Sequence, residues 1–266
     1  DTNMRIQSLK RKIGSGKGYL KGLYSLVREV SRLSLAFCIN NSHKFILLSP
    51  SFIPVAQRFS RVKDRNKFLS IPNPIAISVS DEDVSKEKEI IYVGRIEYNQ
   101  KRTDRVVDIW RELEPLYPDW KLTIVGDGDD REDLQKRIDA YGLKRVEITG
   151  FVNPIKYYQR ASILLLTSEY EGFGLVVAEA MSYGVVPMVY NSFESAKDLV
   201  KNGSNGVLIK KPFGIQPFTK ALSEMIDNAD HWNTLSKNSR IASEKYGVEH
   251  IVKEWYHVLS VYEKSV

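Results

Sequence analysis

Cysteine is nearly absent from these 266 residues: Cys38 stands alone, which excludes an internal disulfide and fits a reducing compartment such as the cytoplasm. Long apolar runs are missing too. None reaches the length of about 18 residues needed to span a bilayer, so nothing reads as a transmembrane helix. No signal-peptide pattern opens the chain; Asp1 stands first rather than methionine, and the expectation is that the true N-terminus lies upstream. Histidine is scarce. His43, His231, His250 and His257 all lie outside the loops that end strand patterns, so none is assigned a catalytic role. Charge of one sign is in short supply: 33 acidic residues against 39 basic ones leave +6. Anionic company is expected, whether nucleotide phosphates, acidic lipid or nucleic acid, but no nucleic-acid-binding motif accompanies the charge. What is present, 42% hydrophobic and 27% charged residues, suits a folded chain of one large or two modest domains.

From residue 89 onward, short buried strands recur with helices between them, at 90–93, 122–125, 146–148, 163–166, 185–189 and 207–209. Strand and helix in alternation predict an α/β, doubly wound parallel sheet, whose ligands bind at the carboxyl ends of strands. The fold class therefore directs attention to the loop after each strand.

The most informative stretch runs from Ile163 to Tyr190. It reads as buried strand, glycine-punctuated loop, helix over 174–183 stopped by Gly184, and second buried strand, the size of one βαβ crossover. Gly172, Phe173 and Gly174 lead into the helix N-terminus, where free backbone N–H groups and a positive dipole end favour an anion. Glu171 precedes the glycines and Glu179 lies one turn into the helix, on the face shared by Leu175, Val176 and Tyr183, away from the apolar face of Val177, Ala180 and Met181. By themselves these carboxylates read equally well as ligand-binding groups or, more blandly, Glu171 as a solvated loop acid and Glu179 as an ordinary helix glutamate.

After the first strand come Gly94, Arg95 and Lys101, cations suited to phosphate in a loop before a helix near Asp104. After the second comes Gly126-Asp127-Gly128-Asp129-Asp130. The Asp127/Asp129 pair has the form of a metal-binding Asp-x-Asp, while Asp129 or Asp130 also reads as the N-cap of a helix from Arg131. After the third comes Gly150-Phe151-Val152-Asn153, with Asn153-Pro154 a helix start. Glu194, after the fifth, reads either as a site residue or as a first-turn acid.

Glu171 and Glu179, with Gly172-Phe173-Gly174 directly after the first glutamate, resemble the signature of retaining glycosyltransferases of family 4, and Gly94-Arg95, Lys101 and Val152 fall in that family's order. The resemblance covers about residues 71–266. It implies a GT-B fold, two facing Rossmann-like domains of which this chain holds the C-terminal one. It implies that Glu171 and the amides of Gly172, Phe173, Gly174 and Leu175 meet a donor sugar. Glu179 would hold ribose hydroxyls, Gly94, Arg95 and Lys101 the diphosphate, and main-chain atoms of Val152 the base. The family's Gly-x-Gly turn after the second strand works without metal, so no metal or other cofactor is expected; the nucleotide-sugar is a substrate. Arg102 stands where the family commonly has glycine.

The resemblance also divides the chain: 1–70 as the remnant of an N-terminal acceptor-side domain, 71–88 as a linker around Ile71-Pro72-Asn73-Pro74, 89–247 as the donor domain and 248–266 as a crossover helix. In the first part, a basic start (Lys10, Arg11, Lys12, Lys17, Lys21) leads into an apolar periodicity through Leu20, Leu23, Leu26, Val27, Val30 and Leu33. A strand over 45–48 comes next, then a helix through Arg58 capped by Ser49 or Ser51. Such a piece either packs on a missing domain or touches anionic membrane. The Gly14–Gly18 GSGKG lacks Walker spacing and a preceding strand. The expected activity is transfer of a sugar from a nucleotide diphosphate, UDP by commonness, to a saccharide or lipid-linked acceptor, with this chain alone inactive. An epimerase of the same fold and a non-catalytic nucleotide-sugar binding module remain as rivals.

Overall fold

The computed structural model of the chain describes residues 18–75 and 85–263. The glycine-rich segment at 14–17, the basic residues before it and residues 81–84 of the polar stretch at 81–88 lie outside the described residues. The chain divides into two compact units between Pro72 and Asn73.

The first unit contains helix α1 (Gly18–Asn41), strand β1 (Phe45–Leu47), helix α2 (Phe52–Ser60) and strand β2 (Phe68–Ser70). The sequence pattern reads helix, strand, helix; the structure adds β2, which pairs in parallel with β1. Three residues after a charged turn give no alternation by which to recognise a strand. Ile39, Ile53, Ala56 and Phe68 form a small core with Leu35, Phe45, Leu47 and Val62 against it. It leaves Leu23, Leu26, Val27, Val30, Leu33 and Phe37 on α1 exposed.

The second unit alternates strand and helix: β3 (Glu89–Val93), α3 (Thr103–Leu113), β4 (Lys121–Val125), α4 (Arg131–Tyr141), β5 (Val146–Gly150), α5 (Ile155–Arg160), β6 (Ile163–Leu166), α6 (Leu175–Ser182), β7 (Val186–Tyr190), α7 (Ala196–Leu199) and β8 (Val207–Ile209). Helices α8 (Ile215–Ile226), α9 (Ala229–Ser243) and α10 (Val248–Glu263) complete it. All six strands pair in parallel, in the order β5-β4-β3-β6-β7-β8. The central strands β3, β6 and β7 are buried at every residue, as strands covered by helices on both faces must be. The order grows in one direction from β3 and in the other from β6, so the chain reverses between these neighbours, and a doubly wound sheet opens its binding crevice at that point.

Two element boundaries have an identifiable physical cause. The Gly184 stop is real, with φ +71°, but Val185 belongs to it: its N–H reaches back to the carbonyl of Ala180 at 3.0 Å, so β7 begins one residue later than its apolar run. Glu89 joins β3 although it is charged. It is fully buried, receives Arg160 in a two-pronged pair at 2.7 and 2.9 Å, and accepts the Thr123 hydroxyl at 2.5 Å. This network ties the first residue of β3 and the middle of β4 to the last residue of α5. In α10, Ile251 is buried while Val252, Trp255, Tyr256, Leu259 and Val261 remain exposed. Among the described residues no helix is long and apolar enough to cross a membrane.

Candidate functional site

The loop after β3 and the loop after β6 meet where the strand order reverses. The first is braced from within: the Glu97 carboxylate accepts the N–H groups of Asn99 (2.7 Å) and Gln100 (3.0 Å), and the Glu97 N–H donates to the Thr103 hydroxyl (3.1 Å). It is then stitched to the second. The Glu169 N–H donates to the Gln100 carbonyl at 2.8 Å, and the Gln100 side-chain amide donates to the Tyr170 carbonyl at 3.2 Å. This fixed crossing brings Lys101 and Glu171 together across 70 residues of sequence. The Lys101 ammonium donates to both oxygens of Glu171, at 2.8 and 2.9 Å, with the side chains 20% and 8% exposed. Ser168, three residues before Glu171, donates its hydroxyl to the same carboxylate at 2.7 Å.

Arg102, at the head of α3, has φ +53°, a conformation natural to glycine and rare for arginine. Its guanidinium folds onto Asp104 at 3.0 and 2.7 Å. Behind the loop, Arg105 is buried, ion-paired with Glu169, and lies over the Phe213 ring at 4.0 Å.

Gly94 and Arg95 form the turn directly after β3. Gly94 has φ +150°, and the neighbouring Gly126 lies so close that a Cβ on Gly126 would stand 1.9 Å from the Gly94 carbonyl oxygen. Backbone-to-backbone contact thus demands glycine at 126, while at Gly94 it is the positive φ that favours glycine, a Cβ there meeting only the Tyr92 side chain, its hydroxyl at 3.0 Å. Beneath the turn, the buried Tyr92 hydroxyl donates to the Arg95 carbonyl at 2.8 Å. Burial pushes this phenol above the usual tyrosine range, and the charges of Glu171 and Glu97 add to the effect, so Tyr92 stays a donor. The Arg95 guanidinium is exposed, with only a loose approach to Glu97 at 4.0 Å.

Gly174 occupies the N-cap position of α6 with φ +91°. The Phe173 ring is buried edge-on against Tyr246, centroids 5.6 Å apart, so this residue presents main chain to the crevice while its side chain serves the core. Gly172 is exposed, with open space where a side chain would stand. Leu175 and Glu179 are half-buried on α6. Glu179 accepts the Tyr158 hydroxyl at 2.9 Å. Tyr183 lies on the same face as Glu179, as expected; it is buried and stacks on the same Tyr158. Val152 lies in the exposed turn after β5, beside a shallow depression of about 450 Å³ lined also by Asn153, Ile155, Lys156 and Gln159.

The Asp-x-Asp reading gains a concrete alternative. Asp127 is engaged by Arg131 at 3.0 Å and by the Gly128 N–H at 2.8 Å. Asp130 holds the N-cap position of α4, but its carboxylate does not cap the helix; it accepts the Tyr98 N–H at 2.7 Å and braces the loop after β3. Glu194 pairs with Lys197 one turn along, at 3.2 Å. Among the described residues no cluster of three or more His, Cys, Asp or Glu side chains is arranged to hold a metal ion.

The sequence pattern points to Lys101 and Glu171 separately and misses Ser168, Gln100, Tyr92 and Tyr158, which hold the site's parts in place. Only Ser168 leaves a local trace, three residues before the glutamate it binds.

Comparison with known proteins gives the lineage. An uncharacterized glycosyltransferase of Haemophilus influenzae is 34% identical over 197 residues, 73% of this chain and 55% of that protein. The GalNAc-alpha-(1->4)-GalNAc-alpha-(1->3)-diNAcBac-PP-undecaprenol alpha-1,4-N-acetyl-D-galactosaminyltransferase of Campylobacter jejuni is 27% identical over 248 residues, 92% of this chain and 66% of that one. The chain thus spans little more than half the length of the first relative and about two thirds of the second. Among solved structures, Anabaena Alr3699/HepE in complex with UDP and glucose shares the fold with TM-score 0.71 at 20% identity, over 91% of this chain and 75% of that one. Such neighbours are GT-B glycosyltransferases. The family profile for glycosyl transferases group 1 matches residues 77–242, well over half of the 266 residues, and the chain belongs to that family.

Proposed function

We propose that this chain is the donor-binding part of a retaining, metal-independent glycosyltransferase of family 4, which moves a sugar from a nucleotide diphosphate, UDP in the first instance, to a hydroxyl of a saccharide or lipid-linked acceptor. The observation that carries the reading is the Lys101–Glu171 pair at the strand-order reversal, one turn from the N-terminus of α6. A cation, an anion-seeking helix end and a sugar-orienting carboxylate are what a nucleotide-sugar requires, and in this reading they share one crevice.

The chemistry rests on charge. As the bond between the anomeric carbon and the diphosphate oxygen breaks, negative charge grows on the diphosphate and positive charge on the sugar. Arg95, Lys101 and the amides of Gly172 to Leu175 stabilise the first. Glu171 orients the sugar. The acceptor oxygen forms the new bond, and its proton passes to a diphosphate oxygen of the departing nucleotide. Glu179 and the main chain of Val152 hold the ribose and base. Support for UDP comes from the HepE neighbour solved with UDP and glucose. Support for a lipid-linked acceptor, and for a role in polysaccharide assembly, comes from relatives; a place at the cytoplasmic side of a membrane is part of the proposal alone. The Campylobacter transferase is named for its undecaprenol-linked substrate, and an Erwinia amylovora relative for amylovoran biosynthesis. Peripheral contact of the basic N-terminal region with anionic lipid belongs to the same reading.

Calorimetric titration with UDP, GDP, ADP and NAD tests it. Saturable binding of one diphosphate, weakened by Glu179→Ala and absent for NAD, is the expected result. Binding of none would refute the donor site. A second reading takes the chain by itself as a nucleotide-sugar binding module; it spans 55% of the Haemophilus relative. Turnover of a UDP-sugar by this chain without further protein would overturn that second reading.

A further inference from the structure

Tyr158 is buried on α5, a helix that begins immediately after the exposed turn at 151–154. Its ring stacks on Tyr183, centroids 5.9 Å apart and planes 21° apart. Its carbonyl accepts the Lys86 ammonium at 2.8 Å. Its hydroxyl donates to one oxygen of Glu179, at 2.9 Å. Filling this space would need only a phenylalanine. A buried hydroxyl adds a desolvation cost that only a partner offsets, and the partner is the carboxylate that the reading above assigns to the ribose. Burial and the neighbouring Glu179 charge hold the phenol well above the usual tyrosine range, so it remains a donor at any working pH.

Resting on that reading, we infer that Tyr158 is a positioning residue for nucleotide recognition: its hydroxyl fixes the rotation of the Glu179 carboxylate and leaves the second oxygen aimed at the ribose hydroxyls. Without the anchor the carboxylate would sample several rotamers, and the ribose would have to order it on binding. The same bond couples the turn carrying Val152 to α6, so base and ribose are read by one rigid assembly.

The test is calorimetric titration of the full chain, wild type and Tyr158→Phe, with UDP and with 2′-deoxy-UDP. The wild type should prefer UDP. Tyr158→Phe should narrow that preference by about fivefold, the size of one hydrogen bond lost at the carboxylate, while 2′-deoxy-UDP affinity changes by less than about twofold. In a Glu179→Ala background, which removes the acceptor, Tyr158→Phe should narrow it no further. A variant that is merely destabilised weakens both nucleotides alike, and an unchanged preference would overturn the inference. So would an additive effect in the Glu179→Ala background. A wild type that binds both nucleotides equally would refute the roles of Glu179 and Tyr158 while leaving the Lys101 site standing. A wild type that binds neither would overturn the donor-site reading and this inference together.

Discussion

Lys101 and Glu171 are bonded to each other, yet the proposed reaction asks each to hold a different part of the donor. This gives two opposite expectations for two substitutions. Lys101→Met removes the cation and leaves Glu171, only 8% exposed, with the Ser168 hydroxyl at 2.7 Å. Breaking a fully buried pair costs about 3–5 kcal/mol. Here a fifth of the lysine side chain remains accessible and one hydroxyl stays on the carboxylate, so about 2–3 kcal/mol is expected. For a unit of this size that is a fall in Tm of about 4–12 °C. UDP affinity should fall by about 10- to 100-fold, the value of one charge-assisted contact to phosphate. Glu171→Gln acts differently. The amide offers one acceptor oxygen where the carboxylate offered two, so the lysine is released from its counter-charge but kept in place by the stitched loops. UDP, which lacks the sugar, should then bind as tightly as to the wild type or up to about tenfold more tightly, since the diphosphate no longer competes with Glu171 for the ammonium. Differential scanning calorimetry and UDP titration on the two variants read both effects. Equal losses of UDP affinity in Lys101→Met and Glu171→Gln would refute the division of labour.

Three further outcomes are expected from other parts of the fold. Arg160→Met strands the buried Glu89 carboxylate with the Thr123 hydroxyl and Lys121 at 3.8 Å, and should lower stability in urea by about 3 kcal/mol, while Glu89→Met/Arg160→Met recovers most of it; a double variant no more stable than Arg160→Met would contradict the account. Gly126→Ala puts a methyl group 1.9 Å from the Gly94 carbonyl oxygen, so the Gly94–Arg95 turn must move, and UDP binding should fall by at least about tenfold in the same titration. Burial, reinforced by Arg240, pushes the Lys86 ammonium down to about 7. The unfolded chain then binds more protons than the folded one between about pH 7 and the ordinary lysine range, so stability should rise with pH across that window, by up to about 1.4 kcal/mol per unit. Lys86→Met should flatten the rise, and an unchanged pH slope would show that Lys86 is not its source.

Much of the architecture is legible from local pattern. The apolar runs of the central strands are set by burial on both faces, and Gly94, Gly126 and Gly150, which end β3, β4 and β5, by turns that need positive φ. The candidate site is legible one residue at a time, because Glu171, Lys101 and Arg95 each stand in a loop at a strand's carboxyl end. Which side chains touch is not legible. Glu89 is hidden because a charge at a strand's edge reads as loop until its partner Arg160, 71 residues on, is seen beside it. Tyr158 is hidden because a helix tyrosine has no periodicity that announces a carboxylate partner 21 residues away. The Asp130 carboxylate goes to the Tyr98 N–H, 32 residues back, in preference to the helix it precedes, a choice decided by tertiary approach and not by capping propensity.

The adjacency of β3 and β6 has a consequence for how the chain acquires its site. The two strands are neighbours in the sheet, while β4 and β5 and their helices lie between them in sequence and close on themselves at the far edge. Closing that excursion costs chain entropy before any contact rewards it, so the β3–β6 junction is a late, non-local event. Gln100, Lys101, Glu169 and Glu171 meet only once it has formed. The crevice therefore does not exist in any partly folded species in which the two halves of the sheet are still separate, and on the proposed function capture of a nucleotide becomes a signal that the sheet is whole.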